Sequence, residues 1–168
     1  YRQIVLAPDS VQEMHDLMFA AFDLADTYRG PVMVLTDGRL GQMMEPFDLH
    51  PPATPCVDKP WATTGAKGRA PNIVRSLYLV VEELEALNQR LQAKYRHIAE
   101  HEVRVEERMT NDCDILLVAY GSSARACKGA LSEARARGHK VGLLRPVTLW
   151  PFPTARIGEL ASQVEAII

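Results

Sequence analysis

Cysteine is scarce in this chain and long apolar runs are absent. The 168 residues hold three cysteines, Cys56, Cys113 and Cys127, an odd number with no C-x-x-C spacing. Neither a disulfide framework nor a cysteine-held zinc ion or iron–sulfur cluster is therefore expected, and such sparing use suits the reducing cytoplasm. No run approaches the about 18 apolar residues needed to cross a bilayer. The opening residues Tyr1-Arg2-Gln3-Ile4 do not read as the basic and apolar regions of a secretory signal. An excess of one charge is missing too: 19 Lys+Arg stand against 21 Asp+Glu, a net charge of -2. That balance excludes the broad basic field of a nucleic-acid binder and the polybasic face of a membrane-surface protein. The chain opens without methionine, almost at once in the strand-like run Ile4-Val5-Leu6-Ala7, and stops in Val164-Glu165-Ala166-Ile167-Ile168. The expectation is a piece of a longer polypeptide.

What is present is α/β alternation. Ile4 to Ala7 is a short apolar run of the kind buried on both faces, and Pro8-Asp9 stops it. Ser10 offers an N-cap hydroxyl with Glu13 three residues on, a capping box. Met14, Leu17, Met18, Ala21, Leu24, Ala25 and Tyr28 then recur at helical spacing, predicting a helix over about 10–28 with one face on a sheet. Gly30-Pro31 ends it, Val32-Met33-Val34-Leu35 reads as the next strand, and Asp37-Gly38 turns the chain. This is a βαβ unit, which demands parallel strands.

Between 46 and 71, Pro51, Pro52, Pro55 and Pro60 predict an extended linker. From about 75 to 108, Leu77, Val81, Leu84, Leu87, Leu91, Tyr95, Ile98, Glu102 and Val105 step by three or four, predicting one long charged helix with a narrow apolar stripe. The last third alternates again. Asp114 to Ala119 reads as a strand, Gly121-Ser122-Ser123 as the turn into a helix that Gly138 terminates, and Val141 to Leu144 as a second strand. A last helix is expected with Thr154 as its N-cap, and a third strand after Ile168.

Gly121, Ser122 and Ser123 bring free N–H groups and two hydroxyls to a helix start, which suits a phosphate or carboxylate. An ordinary βα turn requires the same residues. His97 and His101, with Glu100 between them, match H-x-x-E-H and would place two imidazoles one turn apart, as in a zinc hydrolase. The solvated face of a charged helix is the preferred reading, since no third ligand approaches from another direction. Asp37 with Gly41-Gln42-Met43-Met44-Glu45 follows a strand's carboxyl end, where open α/β sheets place contacts. Arg145 lies at the carboxyl end of another strand, and Trp150 stands beside Pro151, a pair that can seat a partner or plug the gap between a loop and its domain. His15 and His139 stand alone.

Several stretches together resemble the alpha subunit of 2-oxoacid:ferredoxin oxidoreductases. They are Val5-Leu6-Ala7-Pro8 with Ser10 to Met14, Ala21 to Asp26, Pro31-Val32-Met33, Gly41 to Pro46, Lys59 to Arg69, Val118 to Gly121, and Val141 to Pro146 with Thr148 to Pro153. The Lys59 to Arg69 stretch looks most like the 2-ketoisovalerate (3-methyl-2-oxobutanoate) branch. The resemblance implies an α/β fold with parallel sheet. Residues 1–48 would be the last part of a thiamine pyrimidine-binding domain, 49–111 a linker and long charged helix, and 112–168 a truncated domain like the transketolase C-terminal one. It implies an oxidative decarboxylase in which a 2-oxoacid, coenzyme A and ferredoxin give acyl-CoA, carbon dioxide and reduced ferredoxin. Thiamine diphosphate and iron–sulfur clusters belong to the whole complex, with beta and gamma/delta subunits as partners, and none is expected on this piece alone. No catalytic residue carries over, because the family's substrate motif and thiamine-activating glutamate have no matching position here. Asp37, Gln42, Glu45, Arg145 and Trp150 are expected at domain or subunit contacts. The alternative is a free-standing α/β module holding coenzyme A or another phosphate ligand at Gly121 to Ser123.

Overall fold

The computed structural model describes residues 2–50 and 58–168. Tyr1, the linker prolines Pro51, Pro52 and Pro55, and Cys56 lie outside the described residues. The element order is β1 (Ile4–Leu6), α1 (Val11–Tyr28), β2 (Val32–Val34), a 3-10 turn (Leu40–Gln42), α2 (Val81–His101), β3 (Val105–Arg108), β4 (Ile115–Val118), α3 (Gly121–Ala136), β5 (Val141–Pro146), β6 (Thr148–Trp150), α4 (Thr154–Ala161) and β7 (Ala166–Ile167).

The first βαβ unit forms as its pattern demands. Ser10 Oγ accepts from Glu13 N at 3.1 Å, which fixes the start of α1. The Glu13 carboxylate turns instead to Asp9 N at 2.8 Å, so the reciprocal half of the capping box is displaced by one residue. Leu17, Ala21 and Leu24 are the buried face of α1, and they pack with Ile4, Leu6, Ile98 and Val147 in one core cluster. β1 and β2 are parallel, with Leu6 opposite Val34.

Two sheets result, and between β5 and β6 the chain passes from one to the other across a single residue. One has the order β2-β1-β6 and the other β3-β5-β4-β7. β5 ends at Pro146 in the second sheet, while β6 begins at Thr148 in the first. Val147 between them accepts from Ala7 N at 2.8 Å and donates to Arg104 O at 2.9 Å. β1 with β2 and β4 with β5 are the expected parallel pairs, and β4 also pairs in parallel with β7. Antiparallel strands are added to these, β6 on β1 and β3 on β5.

Three expectations need correction. The long helix does not run from 75 to 108; α2 occupies Val81–His101 and Val105–Arg108 is a strand. The helix begins where Glu82 and Glu83 enter its first turn, complementing the dipole. It ends because Val105–Arg108 gains a full antiparallel register on β5, with Glu106 opposite Arg145. Thr154 is the first helical residue of α4 rather than its cap; Pro153 takes the cap position without a side-chain hydrogen bond. The strand expected after Ile168 lies earlier: Ala166–Ile167 pairs with β4, and Ile168 N donates to Leu116 O at 2.9 Å.

Gly142 shows how closely the second sheet is covered. A Cβ there would stand 2.8 Å from both Cys113 Sγ and Met109 O, so only glycine fits under that turn.

Candidate functional site

The polar chemistry of the molecule gathers where the first fifty residues meet the last third. The β2 carboxyl end supplies the first contact. Asp37 Oδ1 accepts from Arg39 N at 3.0 Å and Leu40 N at 2.9 Å, closing the 3-10 turn. Its Oδ2 accepts from Ser122 N at 2.9 Å, in the first turn of α3. Gly121 sits at φ +58, and a Cβ on it would lie 3.1 Å from that same oxygen. Donation from Leu40 and Ser122 holds the Asp37 carboxyl at about 2, below the ordinary carboxylate range. The N–H that would greet a phosphate at Gly121 to Ser123 thus faces the chain's own carboxylate, and an added anion there would meet Asp37.

Glu45 makes the second contact, a hydrogen-bonded ion pair with Arg125 of α3. Its other oxygen accepts from Val11 N at 3.3 Å, at the start of α1. The Arg125 guanidinium, then the Val11 N–H, lower the Glu45 carboxyl. Gln42 lies exposed in the 3-10 turn, and among the described residues its side chain makes no hydrogen bond to the last third.

Arg145 centres the third contact. It is the penultimate residue of β5, a strand in which every residue is buried, and its own side chain is 4% exposed. Two guanidinium nitrogens donate to the Glu13 carboxylate at 2.9 and 2.6 Å. The third, Nε, donates to Glu106 Oε2 at 2.7 Å and stands 3.6 Å from Asp9 Oδ2. Lys128 of α3 closes the cluster, paired with Asp9 and 2.8 Å from Glu106 Oε2. Glu106 also accepts from Arg108 Nε at 2.7 Å. Burial alone would raise the Glu106 carboxyl, but donation from Lys128, Arg108 and Arg145 brings it to about 2. Burial would likewise weaken the Arg145 guanidinium, and the carboxylates of Glu13, Asp9 and Glu106 together more than reverse it.

Trp150 lies on β6, opposite Val5 of β1, with its ring edge-on to Tyr95 of α2 at 6.2 Å. Asp37, Glu45, Arg145 and Trp150 each touch the other half of the chain. Sequence reasoning missed Asp9 and Lys128 as members of the cluster, and treated Glu13 only as a cap. The available signal was Arg145 itself, a cation inside an otherwise apolar strand, which must find carboxylates.

The remaining candidates stay apart. His97 and His101 stack at 4.1 Å on the exposed side of α2, with His101 Nδ1 2.9 Å from His97 O. Among the described residues no group of three or more His, Cys, Asp or Glu is arranged to hold a metal ion. Ser123 is exposed. His15 lies between the rings of Phe19 and Phe47. Burial raises the Cys113 thiol, which leaves it a poor nucleophile.

An acid titration reports on these contacts. Asp37 and Glu106 are both lowered to about 2 in the folded chain, whereas unfolded Asp and Glu titrate near about 3.9 and about 4.3. The unfolded chain therefore binds protons first as pH falls. Their contribution is complete above about pH 5 and is lost between about pH 4 and about pH 2. Urea midpoints should be level from about pH 7 to 5 and fall steeply below about pH 4. A midpoint unchanged down to about pH 2 would contradict the assigned pairing.

Comparison with known proteins gives this geometry a context. The family model described as pyruvate flavodoxin/ferredoxin oxidoreductase, thiamine diphosphate-binding, matches residues 1–111. The model for pyruvate:ferredoxin oxidoreductase core domain II matches residues 113–168. Ketoisovalerate oxidoreductase subunit VorB of Methanothermobacter marburgensis is 54% identical over 162 residues, covering 96% of this chain and 46% of that protein. The 2-oxoglutarate synthase subunit KorA of Methanocaldococcus jannaschii is 31% identical over 187 aligned residues, 97% of this chain and 51% of that one. The chain thus spans about half the length of the curated relatives it matches. Among solved structures, the 2-oxoglutarate:ferredoxin oxidoreductase from Magnetococcus marinus, with 2-oxoglutarate, coenzyme A and succinyl-CoA bound, matches with a TM-score of 0.73 at 19% identity. That match covers 98% of this chain and 34% of the other, and it speaks for the fold.

Proposed function

The chain belongs to the pyruvate flavodoxin/ferredoxin oxidoreductase family, and on that premise we propose that it is part of the alpha subunit of a branched-chain 2-oxoacid:ferredoxin oxidoreductase. The whole enzyme oxidatively decarboxylates a 2-ketoisovalerate-type acid, captures the acyl group on coenzyme A and passes two electrons to ferredoxin. The observation that carries the branch is the identity gap: 54% to a ketoisovalerate oxidoreductase subunit against 31% to a 2-oxoglutarate synthase subunit, with almost all of this chain aligned in each case. This reading places the enzyme in the cytoplasm, with beta and gamma/delta subunits as partners.

Thiamine diphosphate, when bound, supplies the carbanion chemistry of such enzymes, and iron–sulfur clusters take up the electrons. Among the described residues no set of three metal-ligating side chains converges, and the N–H at the α3 start already faces Asp37. In this reading partner subunits and other parts of the polypeptide hold both. What these residues contribute is rigid placement. The β2 carboxyl-end loop is tied to α3 through Asp37 and Glu45, and the Arg145 cluster fixes the start of α1 against the second sheet. Contacts of this kind set the relative position of the surfaces that bear on reacting groups.

The test is to express the full reading frame with its neighbouring subunits and follow coenzyme A-dependent reduction of a viologen dye. The expected order has 3-methyl-2-oxobutanoate ahead of pyruvate and 2-oxoglutarate, while these 168 residues alone turn over none of them. Activity with no 2-oxoacid, or turnover by the chain alone, would overturn the reading.

A further inference from the structure

We draw no further inference here: the strongest candidate, the exposed apolar face over residues 73–94 with the cleft beside it, carries nothing because Glu82, Glu83 and Glu85 balance Arg75, Arg90 and Lys94 and nothing in the structure shows what covers it.

Discussion

An Arg145→Ala variant is expected to unfold with about 3–5 kcal/mol less stability than the native chain, the usual cost of removing one partner from a buried ion cluster. The size follows from what is left behind. Arg145 is 4% exposed and the Asp9 side chain 9%, so water does not replace the guanidinium freely. Lys128 still pairs with Asp9 and Glu106, but Glu13 loses both of its charged donors. Arg145→Lys should fall between the two. It keeps the charge, yet an ammonium cannot reproduce a two-point contact to Glu13 together with the bond to Glu106. Combining Arg145→Ala with Glu13→Gln should recover part of the loss, because the uncompensated carboxylate disappears while an acceptor for Asp9 N remains. Urea titrations of the four proteins settle the ranking. Native-like stability in Arg145→Ala would mean that water already screens the cluster.

The cluster also shows where sequence stops being informative. β1, α1 and β2 are legible because their signals are local: an apolar run, a capping serine, and an apolar period of 3.6. β3 is not, since Val105 continues the helical step and Glu106, Glu107 and Arg108 have no preference for strand. Its conformation is decided by the vacant edge of β5, a tertiary effect that overrides propensity. β6 escaped for a related reason. Three residues after a proline carry no period, and nothing local says that they leave one sheet for the other at Val147. In the site, Arg145 announces itself as a charge inside an apolar strand, but its partner Glu13 stands 132 residues away, and no spacing rule spans that distance. Asp37 and Ser122 were each visible, one as a turn residue and one at a helix start that welcomes an anion. The hydrogen bond joining them makes the two features one.

Leu6→Ala is expected to cost about 2–5 kcal/mol, the range for emptying a fully buried leucine site, and Leu6→Met less than about 1.5 kcal/mol. Leu6 is 0% exposed and sits on the middle strand of its sheet, opposite Val34 on one side and Thr148 on the other. Where the damage spreads matters more than its size. Thr148 belongs to β6, and Val147, one residue before it, packs in the same cluster as Leu6. The cavity therefore weakens a sheet that both halves of the chain build, and the loss should pass through Val147 into β5. Amide exchange checks this directly: protection at Ile4–Leu6 and at Ile115–Val118 of β4 should fall by similar amounts, with one cooperative urea transition. If only the β1 amides lose protection, the two sheets unfold as separate units. The strand crossing at Val147 would then be a tether, and the Arg145 cluster would have to hold the halves in register by itself.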